Sequence, residues 1–271
     1  MKKISALVLA IVLVCTMLSL ASCKELTAYQ VFHEAMEKTE ALDSFECKAN
    51  INMAMKFGGM EITVPMSYNF KAAGLKGDKP EFSGTTQLDM GIIKVDASVY
   101  NSGEYAYVDM SGTKLKMKLS SEEGSQYDFT KIDDEIVADL PEEALKDVQL
   151  VENEDGTKSI DVTLTAEEFN KYCKGILDSV KDNENLENAT DVTVEDIKLK
   201  VVINKDGYIS KYSMSFKMNM KIDLGELGGV TETSVAVDAD IEYVNPGQTV
   251  TVTAPADLDS YVEGLDSGLF D

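Results

Sequence analysis

Few side chains in this sequence are of a kind that performs chemistry. His33 is the one histidine among 271 residues, and it stands between Phe32 and Glu34 in a helical pattern. That is the place of a residue bordering an apolar stripe rather than of a catalytic base. No serine or cysteine occupies a nucleophile elbow, no glycine-rich loop opens a helix to hold phosphate, and no His/Cys spacing suits a metal. Carboxylates are plentiful, as in Asp133-Asp134-Glu135, in Asp182 to Glu187, and in Asp238 with Asp240. The last two fall on one face of a strand and could share a cation, but no complete EF-hand loop is present and a solvated acidic face is the commoner meaning. The expectation is a protein that is not an enzyme and carries no cofactor or metal.

The thiols carry more information. Cys23 follows Leu20-Ala21-Ser22, and ahead of it lie Lys2, Lys3 and an apolar run from Ala6 to Leu18. A short basic segment followed by such a run is an export signal. The run is too short, and too closely followed by small residues, to be a stable membrane span. Leu20-Ala21-Ser22-Cys23 resembles the lipobox of bacterial lipoproteins: a branched apolar residue, two small residues, then the acceptor cysteine. The resemblance implies a diacylglycerol on the Cys23 thiol, cleavage by signal peptidase II between Ser22 and Cys23, and acylation of the new amino terminus. At about 0.8 kcal/mol per buried methylene, two long chains hold a protein on a membrane for good on a cellular timescale. The alternative is an ordinary secretory signal that ends by chance in a cysteine. The expected organisation is a signal over 1–22 and one extracytoplasmic domain over 23–271, lipid-anchored to the outer side of the cell membrane, with an acidic tail at about 257–271.

Cys15 leaves with the signal, so Cys47 and Cys173 remain. In an exported protein they suit a disulfide, or they are two separate thiols in a strand and a helix; spacing does not decide.

The balance of 25 basic against 48 acidic residues gives a net charge of −23. The loss of Lys2 and Lys3 makes the remaining chain more acidic still, and none of its cations is arginine. Nucleic-acid binding needs clustered cations to displace counterions, and these lysines are outnumbered and scattered, so nucleic acid is excluded as a partner. The same charge repels anionic headgroups, which leaves the acyl anchor as the expected membrane contact.

Two hydrophobic periods organise the chain. Over Lys24 to Ala41, Leu26, Tyr29, Phe32, His33 and Met36 recur at three- and four-residue steps, predicting an amphipathic helix. From Phe45 the period is two: Ile51, Met53, Met55 and Phe57 on one face, Asn50, Asn52 and Lys56 on the other. Gly58-Gly59 turns the chain into Met60 to Ala73, with Ile62, Val64, Met66, Tyr68 and Phe70 in step. Strands are expected at Glu81 to Met90, Ile92 to Tyr100, Glu104 to Met110 and Thr113 to Leu119, as an antiparallel meander. A short helical stretch falls within Asp133 to Leu145, and Val148 to Glu152 pairs with Ser159 to Leu164. Thr165 caps a helix over Ala166 to Val180, with Glu167 and Glu168 where the helix dipole favours them. Thr193 to Asn204, Tyr208 to Asp223 and Val230 to Val244 return to sheet, Pro246 and Pro255 bracket a short strand, and the acidic end frays.

Several of these strands exceed the roughly 3 to 10 residues usual in globular proteins, and strands so long must coil. With one apolar face, the sheet should curl around the helices. The helix just after the anchor (Ala28-Tyr29-Gln30-Val31-Phe32-His33-Glu34-Ala35-Met36), the link Leu42-Asp43-Ser44-Phe45 and the long alternating strands resemble the LolA/LppX-type half-barrel lipoproteins. They also resemble uncharacterised Firmicutes lipoproteins of similar layout. The resemblance implies an α+β fold: a long curved antiparallel sheet with two or three helices on its concave side, and a cavity for acyl chains between them.

Met53, Met55, Met66, Met214, Phe216, Met218 and Met220 line the strands that such a cavity would use, and thioethers make an adaptable apolar surface. A methionine stripe is more often packing than pocket, so two functions stand side by side. One is a carrier of lipid or another hydrophobic ligand on the concave face. The other is an envelope lipoprotein with a filled core that acts through protein contacts on its acidic convex side. A weaker regularity is that Asn52 to Phe70 and Lys217 to Tyr243 share one plan, a Met-x-Met strand, a glycine turn and an alternating partner.

Overall fold

The structure is a computed structural model that describes residues 26–89, 91, 94–119, 141–172, 189–223 and 229–263. The first helix, α1 (Ala28–Glu40), starts where Thr27 accepts a hydrogen bond from the Gln30 N–H at 3.2 Å. The Gln30 carboxamide oxygen in turn accepts the Thr27 N–H at 3.1 Å, closing a capping box. The buried stripe is Ala28, Val31, Phe32 and Ala35, with Tyr29 and Met36 half-buried beside it. This corrects the sequence reading at two places. Leu26 precedes the cap and is 46% exposed, and His33 is turned to solvent, where its Nε2 lies 3.3 Å from Glu37 and its ring stacks on Tyr29. Positions i, i+3, i+4 and i+7 counted from Ala28 form the true face, and two alanines on it let the helix lie close to the sheet.

Among the described residues twelve strands form one antiparallel sheet, curved and open, in which a single short pair is parallel. β1 (Ser44–Phe57), β2 (Met60–Ala73), β3 (Glu81–Asp89), β4 (Lys94–Asn101), β5 (Tyr105–Met110) and β6 (Thr113–Lys118) follow one another as a meander. The second run is β7 (Leu150–Glu152), β8 (Lys158–Leu164), β9 (Ala189–Ile203), β10 (Ile209–Asp223) and β11 (Val230–Tyr243). The runs join where β1 pairs with β11, from Cys47 opposite Tyr243 to Phe57 opposite Thr233. Gly58 and Gly59 take φ of +55° and +84°, so the two-residue turn between Phe57 and Met60 is of the primed kind that matches strand twist. The two Met-x-Met hairpins with a common plan are therefore neighbours, β2-β1 beside β11-β10.

One-residue alternation fixes which side chains share a face. On the inner face of β8 to β10, Ile160, Val162, Leu164, Val194, Ile197, Leu199, Val201 and Ile203 meet α1 and Leu145 of the short helix α2 (Glu142–Leu145). Ile160 and Val201 are wholly buried, each contributing about 1.5–3 kcal/mol by removal from water. Helix α3 is Ala166–Tyr172, and Thr165 and Glu168 form its capping box: Thr165 N–H to Glu168 Oε2 at 2.8 Å, Glu168 N–H to Thr165 Oγ1 at 3.2 Å. Phe169 of α3 packs on the same core. The helices thus cover one half of the inner face, from β8 to β10.

The outer face departs from the expected polar surface at one place. Tyr100 and Tyr107 are buried there beneath Val252, with Tyr105, Leu258 and Tyr261 around them. The segment between Pro246 and Pro255 is not the expected strand. The Val250 N–H donates to Ser44 Oγ at 3.0 Å instead of to a strand carbonyl, and Val252 fills the tyrosine cluster. The acidic end is likewise built rather than frayed as far as Glu263: a 3₁₀ turn at Leu258–Ser260, then β12 (Val262–Glu263) parallel to β6.

Candidate apolar ligand face

The register gathers the seven predicted side chains on one face of four adjacent strands, β2, β1, β11 and β10. Met55 stands between Ile62 and Val235, and Val235 pairs with Met218. In the next row Met53 lies between Val64 and Val237, and Val237 pairs with Phe216. In the third, Met66 pairs with Ile51, which faces Ala239 and, beyond it, Met214. Every residue named in these rows is apolar, so the face offers dispersion contact and almost no hydrogen bonding.

Burial divides the seven. Met214, Phe216 and Met218 pack against the helix-covered core, and Met220 is 5% exposed. Met53, Met55 and Met66 are half-buried and belong to neither buried cluster. The apolar face continues past them through Leu88, Val95, Val99, Val108, Leu115 and Met117, all half-buried. No described helix packs on this half of the sheet.

Toward the end where α1 joins β1, the face is walled by an aromatic row. Phe82 lies 5.8 Å from Phe70, Phe70 5.8 Å from Phe45, and Phe45 5.9 Å from Tyr243, centroid to centroid. Gly84 sits in this wall, where a Cβ would touch Phe70 and Val99 at 3.4 Å each. Phe45, Phe82, Leu88, Val235 and Val237 were not singled out from sequence, although their parity within the strands was the signal that selects them. On this face Thr233 Oγ1 is buried and, among the described residues, is the single buried side-chain nitrogen or oxygen with no hydrogen-bond partner.

The opposite face is salt-bridged and wet. Asp240 accepts a hydrogen bond from Ser213 Oγ at 2.5 Å and pairs with Lys211 at 3.2 Å, which together hold its carboxyl below the usual range. Asp238 and Asp240 are exposed, and among the described residues no group of three or more ligating side chains is placed for a metal ion. At the sheet's end Lys114 pairs with Asp257, lowering the carboxyl pKa and raising that of the amine. Asp133-Asp134-Glu135 and Asp182 to Glu187 lie outside the described residues, as do Cys23 with its signal and Cys173. Cys47 is half-buried on the inner face between Phe70 and Tyr243. No described helix is long and apolar enough to cross a membrane.

Residues 27–258 match the model of a family described as a family of unknown function, DUF6612. No curated protein matches the sequence. Among solved structures the chain is similar to LprF from Mycobacterium bovis, at 13% identity over 83% of this chain and 95% of that one, with a TM-score of 0.40. A DUF1329 family protein from Desulfovibrio piger is similar at 12% identity over 81% and 93%, with a TM-score of 0.29. A putative outer membrane lipoprotein-sorting protein domain from Vibrio parahaemolyticus is similar at 12% identity over 80% and 93%, with a TM-score of 0.26.

Proposed function

The chain belongs to the DUF6612 family, whose function is unknown, and from its geometry we propose that it is a lipid-anchored envelope protein that holds an apolar ligand on the concave side of its sheet. The ligand class is a lipid or a molecule with a long hydrocarbon part. Its place is the inner face of β1 to β6, with Met53, Met55 and Met66 beside the helix-covered half. The supporting observation is the mismatch between chemistry and cover: apolar side chains continue along the inner face from β10 to β6, yet the described helices bury only its β8 to β10 half. A contiguous apolar surface left half-exposed marks a binding site more often than idle surface. The lipobox supports anchoring through Cys23 on the outer side of the membrane. The absence of any candidate base or nucleophile in the sequence supports binding rather than catalysis.

A second reading rests on Met214, Phe216 and Met218, which pack against the buried core. If the whole stripe is packing, the protein acts through contacts on its outer face.

Native mass spectrometry of a chain starting at Lys24, which keeps every described residue, followed by organic extraction, separates the two. A co-purifying lipid supports the carrier. An empty protein that also takes up no fluorescent fatty acid would leave the contact role. For the anchor, Cys23→Ser is expected to abolish incorporation of labelled palmitate and release the protein from membranes; retention of label would overturn the assignment.

A further inference from the structure

Charge is divided cleanly between the two faces of the sheet. By register every lysine, aspartate and glutamate of β1 to β6 and β11, and of β10 from Ile209 to Ile222, lies on the outer face. There they pair with one another, as Lys71 does with Glu46 at 3.4 Å and Lys217 with Glu195 at 3.6 Å. The polar side chains on the inner face of the same strands are uncharged types. Tyr68 stands opposite Thr86 in the open half, both half-buried, and its hydroxyl donates to the Met66 thioether at 3.4 Å, a weak acceptor. Cys47, Tyr212 and Tyr243 are the other titratable groups there, and no state of a thiol or a phenol is a cation.

The rest of the chain does not make up for this. On each of the three helices over the covered half carboxylates outnumber lysines, and Lys38 of α1 is held at the β9 to β10 turn by the Asp206 carbonyl and the Tyr208 ring. His33 faces Glu37 in solvent. Beyond the signal, no stretch of sequence outside the described residues holds more lysines than carboxylates, and residues 120–140 and 173–188 hold fewer. An acyl chain ending in a carboxylate would therefore bring its charge to a face without a counter-ion, in a protein of net charge −23. An ionised carboxylate that leaves water unpaired is so costly that the group takes up a proton instead.

We propose that the concave face selects acyl chains whose polar end is uncharged, an ester of the acylglycerol kind, over the same chain ending in a carboxylate. The proposal rests on the carrier reading and adds to it the charge state of the cargo. An ester asks for no counter-ion, and its carbonyl is a better acceptor for the Tyr68 hydroxyl than the thioether that holds it now. A free fatty acid pays for entry with a proton, so its binding is weaker at neutral pH and recovers as the medium turns acid. An alkylamine fares no better on this face, which has no carboxylate to receive it.

Three matched probes test this on the chain starting at Lys24: pyrene-labelled dodecanoic acid, its methyl ester and the corresponding dodecylamine, each below its micellar concentration and followed by anisotropy. At about pH 8 the ester is expected to bind about tenfold more tightly than the acid, and more tightly than the amine. As pH falls toward the carboxyl's own range of about 4 to 5, the affinity of the acid should rise by up to about tenfold per unit while that of the ester stays level. Thr86→Lys, which puts a cation in the open half, should turn the preference at neutral pH toward the acid. If that variant does not fold, the pH series on the unaltered chain decides by itself. An acid that binds as tightly as the ester throughout overturns the selectivity and leaves the carrier standing. An amine that binds best does the same, by showing that the overall charge of the protein and not its concave face chooses the ligand. Failure of all three probes to bind at any pH overturns the carrier reading, and this proposal with it.

Discussion

Thr39 Oγ1 accepts the backbone N–H of Ile209 at 3.0 Å and donates to the Ala35 carbonyl at 2.7 Å, tying the end of α1 to the start of β10, 170 residues later in the chain. The neighbouring Lys38 amine reaches the Asp206 carbonyl and lies 4.4 Å above the Tyr208 ring, so the helix is clamped to the β9 to β10 turn at two successive residues. Thr39→Val keeps the shape but strands the Ile209 N–H. It is expected to cost about 1–3 kcal/mol, the penalty of an unsatisfied part-buried donor, whereas Thr39→Ser should cost less than half of that. Urea unfolding of the two variants checks this; equal losses would mean that the methyl contact, not the hydroxyl, holds the clamp.

The same turn is confined from its other side by Gly247. Its φ is +91°, and a Cβ there would stand 2.7 Å from Tyr208 Cε2. Gly247→Ala must either move the ring that carries Lys38 or distort the backbone. A loss of about 1–3 kcal/mol is expected, read as a lowered Tm. An unchanged Tm would show that Tyr208 swings aside freely.

Much of this was legible because a sheet with one apolar face writes its register as strict alternation. β2 falls on Met60–Ala73 as the pattern has it, and β1 begins one residue earlier than expected. The seven candidate side chains share a face for the same reason. Alternation is silent about which part of an apolar face a helix covers, so Met53 and Met214 read alike in sequence although one is packed on the helix core and the other is not. The pattern misled at Leu26 and His33, where a three- to four-residue step continued beyond the residues that touch the sheet. It was blind to the burial of Tyr100 and Tyr107: their cover, Val252 and Tyr261, comes from the mostly irregular segment between β11 and β12.

That cover is pinned to β6 by the pair of Asp257 with Lys114, whose amine also lies 5.5 Å from the Tyr261 ring. The Asp257 carboxyl is held below its ordinary pKa by the Lys114 hydrogen bond. A carboxyl with a lowered folded pKa contributes its stabilisation in full above the unfolded value of about 3.9 and loses it as pH falls through the folded one. Docking of the segment should therefore be constant from neutral pH down to about 4 and weaken below it. Near-UV circular dichroism of the tyrosines reads this, and in Asp257→Asn the acid-dependent part should vanish. A variant that keeps the full acid transition would assign it to other carboxylates.

Thr233 supplies a prediction of opposite sign. Its hydroxyl is buried on the inner face, opposite Phe57 and Met220, with no hydrogen-bond partner among the described residues. Thr233→Val removes an unsatisfied polar atom while keeping the branched shape that a strand favours. It should stabilise the fold by about 1 kcal/mol, seen as a higher urea midpoint at unchanged slope. A loss of stability would show that the hydroxyl has a partner, such as a bound ligand atom, in the protein as purified.

The carrier and the filled core part company at Met53 and Phe216, which flank Val237 in one row of the sheet. Phe216 packs on the helix-covered core, so Phe216→Ala should cost about 2 kcal/mol or more in stability through the cavity it leaves. Met53 is half-buried with no helix above it among the described residues. If the open half of the face holds ligand, Met53→Ala should barely move the Tm and should weaken fatty-acid binding about tenfold, the equivalent of roughly 1.4 kcal/mol. The decisive quantity is the ratio of the two effects in each variant, measured by fluorescent fatty-acid titration and thermal unfolding on the same preparations. Should Met53→Ala cost as much stability as Phe216→Ala and leave the Kd untouched, the methionines are packing from end to end, and the concave face is a core rather than a site.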